Sequence, residues 1–238
     1  MDESLLAFDR EKHICYSNLA KRVMLEHLSM HYPKSEVDYV WEKVQQQYVE
    51  FLKDVPYLGG IKNTHNGTGG TYDCIALFAY YEAQENKPTL DELYEMNIEL
   101  LRPSFEQLGK FVNANNKILL RVMNFAFKAT ARSDKKHAKD WHGDYIMEVE
   151  PYNKQTGIHY YFSRCPIAEF ARQHGYLHLM PAICNGDYPI FEAMHAGLIR
   201  KTTCSNGSRC DYWIVGDKSR FLKEHPRRTD TDGYWYND

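Results

Sequence analysis

Four of the six cysteines in this 238-residue chain lie between Tyr160 and Val215, and three of those sit beside a second polar group. Arg164 precedes Cys165, Cys184 stands three residues before Asp187, and Cys210 is followed directly by Asp211. Thiols and carboxylates at the edges of short elements are the materials of a nucleophilic or acid–base site. Buried structural cysteines usually stand alone among apolar neighbours.

Three readings of this cluster compete. In the first, Cys184 is a nucleophile whose thiol, ordinarily titrating near about 8.5, is activated by a base or a helix end. Asp187 then orients a water, a histidine or a positive group of the substrate. In the second, Cys165, Cys184 and Cys210 hold zinc with a His or Asp, although the tight Cys-x-x-Cys spacing of such sites is missing. In the third, the cysteines are packing residues and the aspartates cap turns. That plainer reading is preferred for Cys15, Cys74 and Cys204. His159, on the strand before Arg164, and His195, beyond Asp187, are placed to serve the cluster as bases. His174 and His178 read as capping or solvent-facing, and no histidine pair is placed at metal-ligand spacing on a helix.

The elements that must position these groups follow from periodicity. Leu19, Val23, Leu25 and Leu28 keep a helical period that Pro33 stops. Ser35 is the expected N-cap of a second helix carrying Val37, Val40, Trp41, Val44, Tyr48, Phe51 and Leu52. Residues 56–72, PYLGGIKNTHNGTGGTY, hold five glycines and cannot be a helix interior. The stretch is a surface loop, or a backbone-rich wall that lets a small ligand approach. It lacks the Gly-Lys-Ser/Thr of a phosphate loop, and no strand precedes it as a dinucleotide fingerprint requires.

A third helix starts at Thr71 or Asp73. Thr89 with Glu92 forms a capping box for a fourth, which Pro103 is expected to close. Further helical pieces run to the basic stretch 128–139, read as a solvated helix end. After Asp140 the period shifts toward two. Two strands joined through Pro151–Thr156 form one hairpin, and 198–203 with 210–215 form another. Short helices between them include one over Pro166–His174, ended by Gly175.

The fold class expected is α+β: a helical amino-terminal half packed on a small antiparallel sheet of about four strands, with short helices inserted. Residues 1–140 are the helical region and 141–217 the sheet region with the Cys/Asp cluster, together one compact domain. Residues 218–238 are expected to be a mobile tail or a cover over a partner surface.

Totals bound the function. The formal net charge of −3 gives no electrostatic reason to expect nucleic acid or an anionic membrane. No run of 18 or more apolar residues occurs, and no secretory signal is seen at the amino terminus. Reduced thiols and a cytoplasmic setting are therefore expected.

The order Arg164-Cys165-Pro166-Ile167, Gly175, Leu179, Cys184-x-x-Asp187-Tyr188, Leu198-x-Arg200, Thr202-Thr203, Gly207 and Cys210-Asp211-Tyr212 resembles the L-2-amino-thiazoline-4-carboxylic acid hydrolase family. Gly59-Gly60 with Asn63, ahead of the helix through Ala76 and Tyr81, adds to the resemblance, which extends to about Ser219. The resemblance implies ring-opening hydrolysis of a cyclic amidine, assigned here to carbon–nitrogen bond chemistry, with N-carbamoyl-cysteine as product.

On that basis Cys184, Asp187, Cys210 and Asp211 are candidate catalytic residues. Arg164, Cys165, Arg200, Thr203, His159, Gly59, Gly60 and Asn63 are candidate substrate contacts. Asp187 or Asp211 would hold the amidine, and Arg200 or Arg164 the carboxylate. No cofactor or metal is expected. The partner is a small-molecule substrate, with a homo-oligomer left open. The alternative is a non-catalytic small-molecule sensor on the same α+β frame.

Overall fold

Helix α1 (Asn18–His31) opens on Ser17, whose hydroxyl accepts the Ala20 amide at 3.1 Å. These coordinates come from a computed structural model that describes residues 17–60, 63, 70–141 and 143–238. Helix α2 (Lys34–Leu52) begins two residues earlier than a cap at Ser35 would place it. Pro33 occupies the cap position without a side-chain bond, its restricted φ of −55° setting the entry instead. The α2 stripe Val40, Trp41, Val44, Tyr48, Phe51 and Leu52 is buried as its spacing predicts. Helix α3 (Gly70–Ala83) packs against it and is buried along nearly its whole length, from Thr71 to Tyr80.

Helix α4 (Leu90–Gly109) starts at the expected capping box: Thr89 N–H donates to Glu92 Oε2 at 2.7 Å, and Glu92 N–H donates to Thr89 Oγ1 at 3.2 Å. Pro103 does not close this helix; it lies inside it. A proline forfeits one backbone bond, and Phe105, buried beyond it, keeps the following turn in place. Helix α5 (Lys117–His137) is capped by Asn116, whose Oδ1 accepts from Ile118 and Leu119.

The sheet contains β1 (Ile146–Val149), β2 (Ile158–Arg164), β3 (Ala196–Ile199) and β4 (Cys210–Gly216). It is antiparallel throughout, in the order β1-β2-β4-β3. At the β1–β2 turn Gly157 adopts φ +74°, and a Cβ there would fall 2.1 Å from the Ile214 carbonyl oxygen, so only glycine fits. Between β2 and β3 come α6 (Pro166–His174), closed by Gly175 at φ +80°, a 3₁₀ turn (Leu177–Leu179), α7 (Met180–Cys184) and α8 (Asp187–Ala193). Helix α5 packs on β1, and α8 on β3. The fold is α+β as expected.

The segment after Asp217 differs from its expected lack of structure. It forms α9 (Arg220–Glu224) and a hairpin of β5 (Arg227–Thr229) with β6 (Trp235–Asn237). Asn237, 2% exposed, anchors it.

The chain divides into two compact units, Met1–Leu100 with Asp140–Gly143, and Leu101–Lys139 with Asp144–Asp238. Among the described residues, no helix is long and apolar enough to cross a membrane.

Candidate active site

Strand alternation sorts the candidates in the second unit. Register pairs Tyr160 with Tyr212 and Phe162 with Cys210, so these four side chains share one face of the sheet. Their neighbours His159, Asp211 and Trp213 take the other face. The His159 ring stacks on Trp213 at 4.0 Å between centroids. His159 is therefore turned away from the Cys210–Tyr212 face and does not join the cluster there. Asp211 is committed to backbone: its carboxylate accepts Thr202 N–H and Thr202 Oγ1 at 3.0 Å each and Lys201 N–H at 3.4 Å. It clamps the β3–β4 connection, which is a structural use rather than the expected catalytic one. His195, at φ 53° in the turn after α8, is exposed and faces Asp217 at 3.4 Å, so it does not reach the cluster either.

Around Tyr212 a buried charge pair is assembled. Asp187 is the first residue of α8, and Arg200 follows β3. Arg200 Nη1 donates to Asp187 Oδ2 at 2.7 Å and Nη2 to the Cys184 carbonyl at 3.0 Å. The Tyr212 hydroxyl donates to the same Asp187 oxygen at 2.9 Å. The Arg200 side chain is 1% exposed and that of Asp187 30%, so the pair is buried at the arginine end and open at the carboxylate end. The guanidinium lies over the rings of Tyr188 and Tyr212, 5.0 and 5.9 Å from their centroids. Arg200 thus braces Asp187 instead of standing open for a substrate carboxylate.

Burial opposes charge on both partners. It pushes Asp187 above the ordinary carboxylate value, with Arg200 and Tyr212 pulling the other way. Arg200 is also desolvated, but Asp187, Tyr212, Cys184 and Tyr188 together more than offset this and keep it protonated.

The thiols gather beside this pair. Cys165 and Cys184 are each 9% exposed and Cys210 is 6% exposed. Burial pushes the Cys165 thiol up, and Cys210 and Cys184 add to the rise. Cys184 is pushed up to about 12 by burial, against the pull of Arg200. The Cys184 Sγ lies 3.5 Å from Ser205 Oγ, which is itself 3.1 Å from Thr203 Oγ1. Cys210 Sγ accepts the Cys204 amide at 3.0 Å, which favours the thiolate, but the neighbouring Cys204 thiol and burial outweigh it and raise the Cys210 thiol as well. The structure thus brings Cys165, Cys184, Cys210, Asp187 and Arg200 together, with Thr203 one hydroxyl further out. Arg164 is half-buried and its Nε donates to the Asp144 carbonyl at 2.5 Å.

Sequence reasoning missed the carboxyl-terminal hairpin as a supporting element. Asn237 Oδ1 accepts Arg200 N–H and the Tyr188 hydroxyl, both at 3.0 Å, and Asn237 N–H donates to the Arg200 carbonyl at 2.7 Å. Asn185 ties the same hairpin to α7 through Gly233 and Trp235.

The remaining candidates lie in the first unit and form a turn. Gly59, at φ +90°, faces the Trp141 indole; a Cβ there would meet Cε2 at 2.5 Å, so packing already fills the space a ligand would use. Gly60 accepts the Asn63 amide at 3.2 Å, and Asn63 Nδ2 donates to the Leu58 carbonyl at 2.5 Å. Asp73, in the first turn of α3, was not singled out by sequence; burial raises it to about 6, placing its titration near neutrality.

Residues 72–214 match the family described as L-2-amino-thiazoline-4-carboxylic acid hydrolase, and the chain belongs to that family. Neither a curated protein nor a solved structure matches the chain.

Proposed function

We propose that the protein is a hydrolase that opens a small cyclic amidine of the 2-amino-thiazoline-4-carboxylate type by adding water to the amidine carbon. The observation that carries this reading, beside family membership, is the Asp187 carboxylate. Its Oδ2 is fixed by Arg200 and Tyr212, its side chain remains partly open, and its proton affinity is raised.

Oδ1 then receives the attacking water beside the amidinium carbon and takes a proton from it. The tetrahedral carbon expels the ring sulfur, and Asp187 returns the proton to the leaving thiolate. The hydroxyl proton left on the new carbonyl oxygen passes to solvent, so amidinium and water give a neutral carbamoyl group, a thiol and one proton. Atom balance decides the bond. With N-carbamoyl-cysteine as product both carbon–nitrogen bonds survive and carbon–sulfur breaks, so the scissile bond is not the carbon–nitrogen bond expected earlier. Cys184, protonated at neutral pH with its thiol near about 12, lines the site and does not attack. Among the described residues no disulfide joins the cysteines, which fits a reducing, cytoplasmic setting.

A second reading, binding without turnover, is favoured by the same rigid bracing, because a carboxylate held by two donors also suits an anchor for an amidinium. Incubation with 2-amino-thiazoline-4-carboxylate separates the two. The hydrolase releases one free thiol per substrate consumed, whereas saturable binding without thiol release supports the sensor.

A further inference from the structure

His27 and His31 lie one turn apart on the same side of α1, so their rings stack at 4.4 Å between centroids. The first turn of α4 brings Glu92 against them. Its Oε1 is 3.2 Å from His31 Nε2 and 3.8 Å from His27 Nε2. The other carboxylate oxygen, Oε2, is engaged by the Thr89 amide and hydroxyl at 2.7 and 2.8 Å, which fixes the direction in which Oε1 points. One ligand atom from each of the three residues falls within 4.8 Å of the others.

A second observation points to an ion. His27 is 7% exposed, and its Nε2 is buried with no hydrogen-bond partner, directed into this group. Its Nδ1 is 2.5 Å from the Tyr80 hydroxyl. A metal-binding histidine commonly has its second nitrogen held in this way, which fixes tautomer and ring orientation. A buried polar atom left unsatisfied costs free energy, and coordination would remove that cost.

We propose that His27 Nε2, His31 Nε2 and Glu92 Oε1 form a binding site for a divalent first-row transition ion of the zinc type. Two imidazoles and one carboxylate suit zinc, whereas magnesium and calcium prefer oxygen donors. Zinc at about 2.0–2.1 Å from each atom would hold the three about 3.3 Å apart in a tetrahedral arrangement. The present separations reach that by small rotations of His31 and Glu92, whose side chains are 44% and 32% exposed. The same exposure leaves a fourth position to water.

Burial and the neighbouring His31 hold His27 below the ordinary histidine value, against the pull of Glu92. Hydrogen bonds from Thr89 hold Glu92 below the usual carboxylate range. Both histidines precede residue 72, where the family match begins. Glu92 lies within that match, but none of the residues of the proposed hydrolytic step is used here, so the proposal does not depend on the hydrolytic reading.

The test is titration of the chelator-stripped full chain with zinc alone, followed by calorimetry and thermal unfolding, and with cobalt(II) followed by visible absorption. The wild type takes up one equivalent with a rise in Tm, and cobalt gives tetrahedral bands without a thiolate charge-transfer band. The partly exposed His31→Gln, and Glu92→Gln, which keeps an acceptor for Thr89, each weaken zinc binding by about 10-fold or more. Equal affinity in wild type and both variants, no zinc uptake, or a thiolate band placing the ion on a cysteine would each overturn the proposal.

Discussion

Asp187→Ala removes the carboxylate paired with Arg200 while leaving the arginine in place. The guanidinium, with a side chain 1% exposed, then keeps only the Cys184 carbonyl and the faces of two tyrosines. Removing one partner of a fully buried ion pair costs roughly 3–5 kcal/mol. The Asp187 side chain is 30% exposed, so water reaches the vacated space and the expected loss is nearer about 2–3 kcal/mol. Replacing both partners, Asp187→Ala with Arg200→Met, removes the stranded charge, so the double variant is more stable than Asp187→Ala alone by at least about 1 kcal/mol. Urea unfolding followed by tryptophan fluorescence and by circular dichroism measures all four members of the cycle. The reasoning is refuted if Asp187→Ala lies within about 0.5 kcal/mol of wild type, or if the two substitutions simply add.

Three further outcomes follow from the same geometry. Asn237→Ala leaves the buried Arg200 amide without its acceptor and the Tyr188 hydroxyl with the Trp235 carbonyl alone, and it lowers stability by about 1–2 kcal/mol in the same unfolding assay; an unchanged midpoint would mean the hairpin does not support the site. Cys184, raised to about 12, reacts with iodoacetamide about 10³-fold more slowly at pH 7.5 in the native chain than in urea, as read by peptide mass spectrometry; equal rates would contradict a protonated thiol. Asp73, raised to about 6 from an unfolded value near 3.9, favours the folded state fully only below the unfolded value, and loses that contribution as pH rises through about 6. Asp73→Asn is accordingly more stable than wild type by about 1–2 kcal/mol at pH 8 and indistinguishable from it at pH 4, and the opposite pH trend would reject the assignment.

Local patterns carried much of the fold. The α2 stripe, the Thr89–Glu92 box, the Pro166 start and Gly175 stop of α6, and both sheet hairpins are short-range signals, and the structure keeps them. Pro103 misled because burial of Phe105 outweighs one missing backbone bond. The cluster was legible in part. Cys184, Asp187 and Arg200 were singled out, but their pairing spans a helix and a strand, and no spacing rule encodes it.

Two errors were avoidable. Adjacent residues on a strand face opposite ways, so Cys210 and Asp211 could not both face one cavity, nor could His159 accompany Tyr160. His27 and His31 stand at i, i+4 on a clear helix, the spacing of a metal pair, although Glu92 joins them only through tertiary packing. The role of Asn237 was hidden for the same reason, since β6 is three residues long and is held by bonds to distant residues. Asp73 gave no signal because its raised proton affinity comes from burial alone.

The most direct measurement is turnover of 2-amino-thiazoline-4-carboxylate, read as free thiol, by wild type, Asp187→Asn and Cys184→Ser, each checked for native circular dichroism. Asp187→Asn keeps the shape of the bracing but cannot take a proton, and it should lose at least about 10²-fold in kcat, while Cys184→Ser retains activity within about 10-fold of wild type. Full activity in folded Asp187→Asn, or its abolition by Cys184→Ser alone, would contradict an Asp187-driven addition of water.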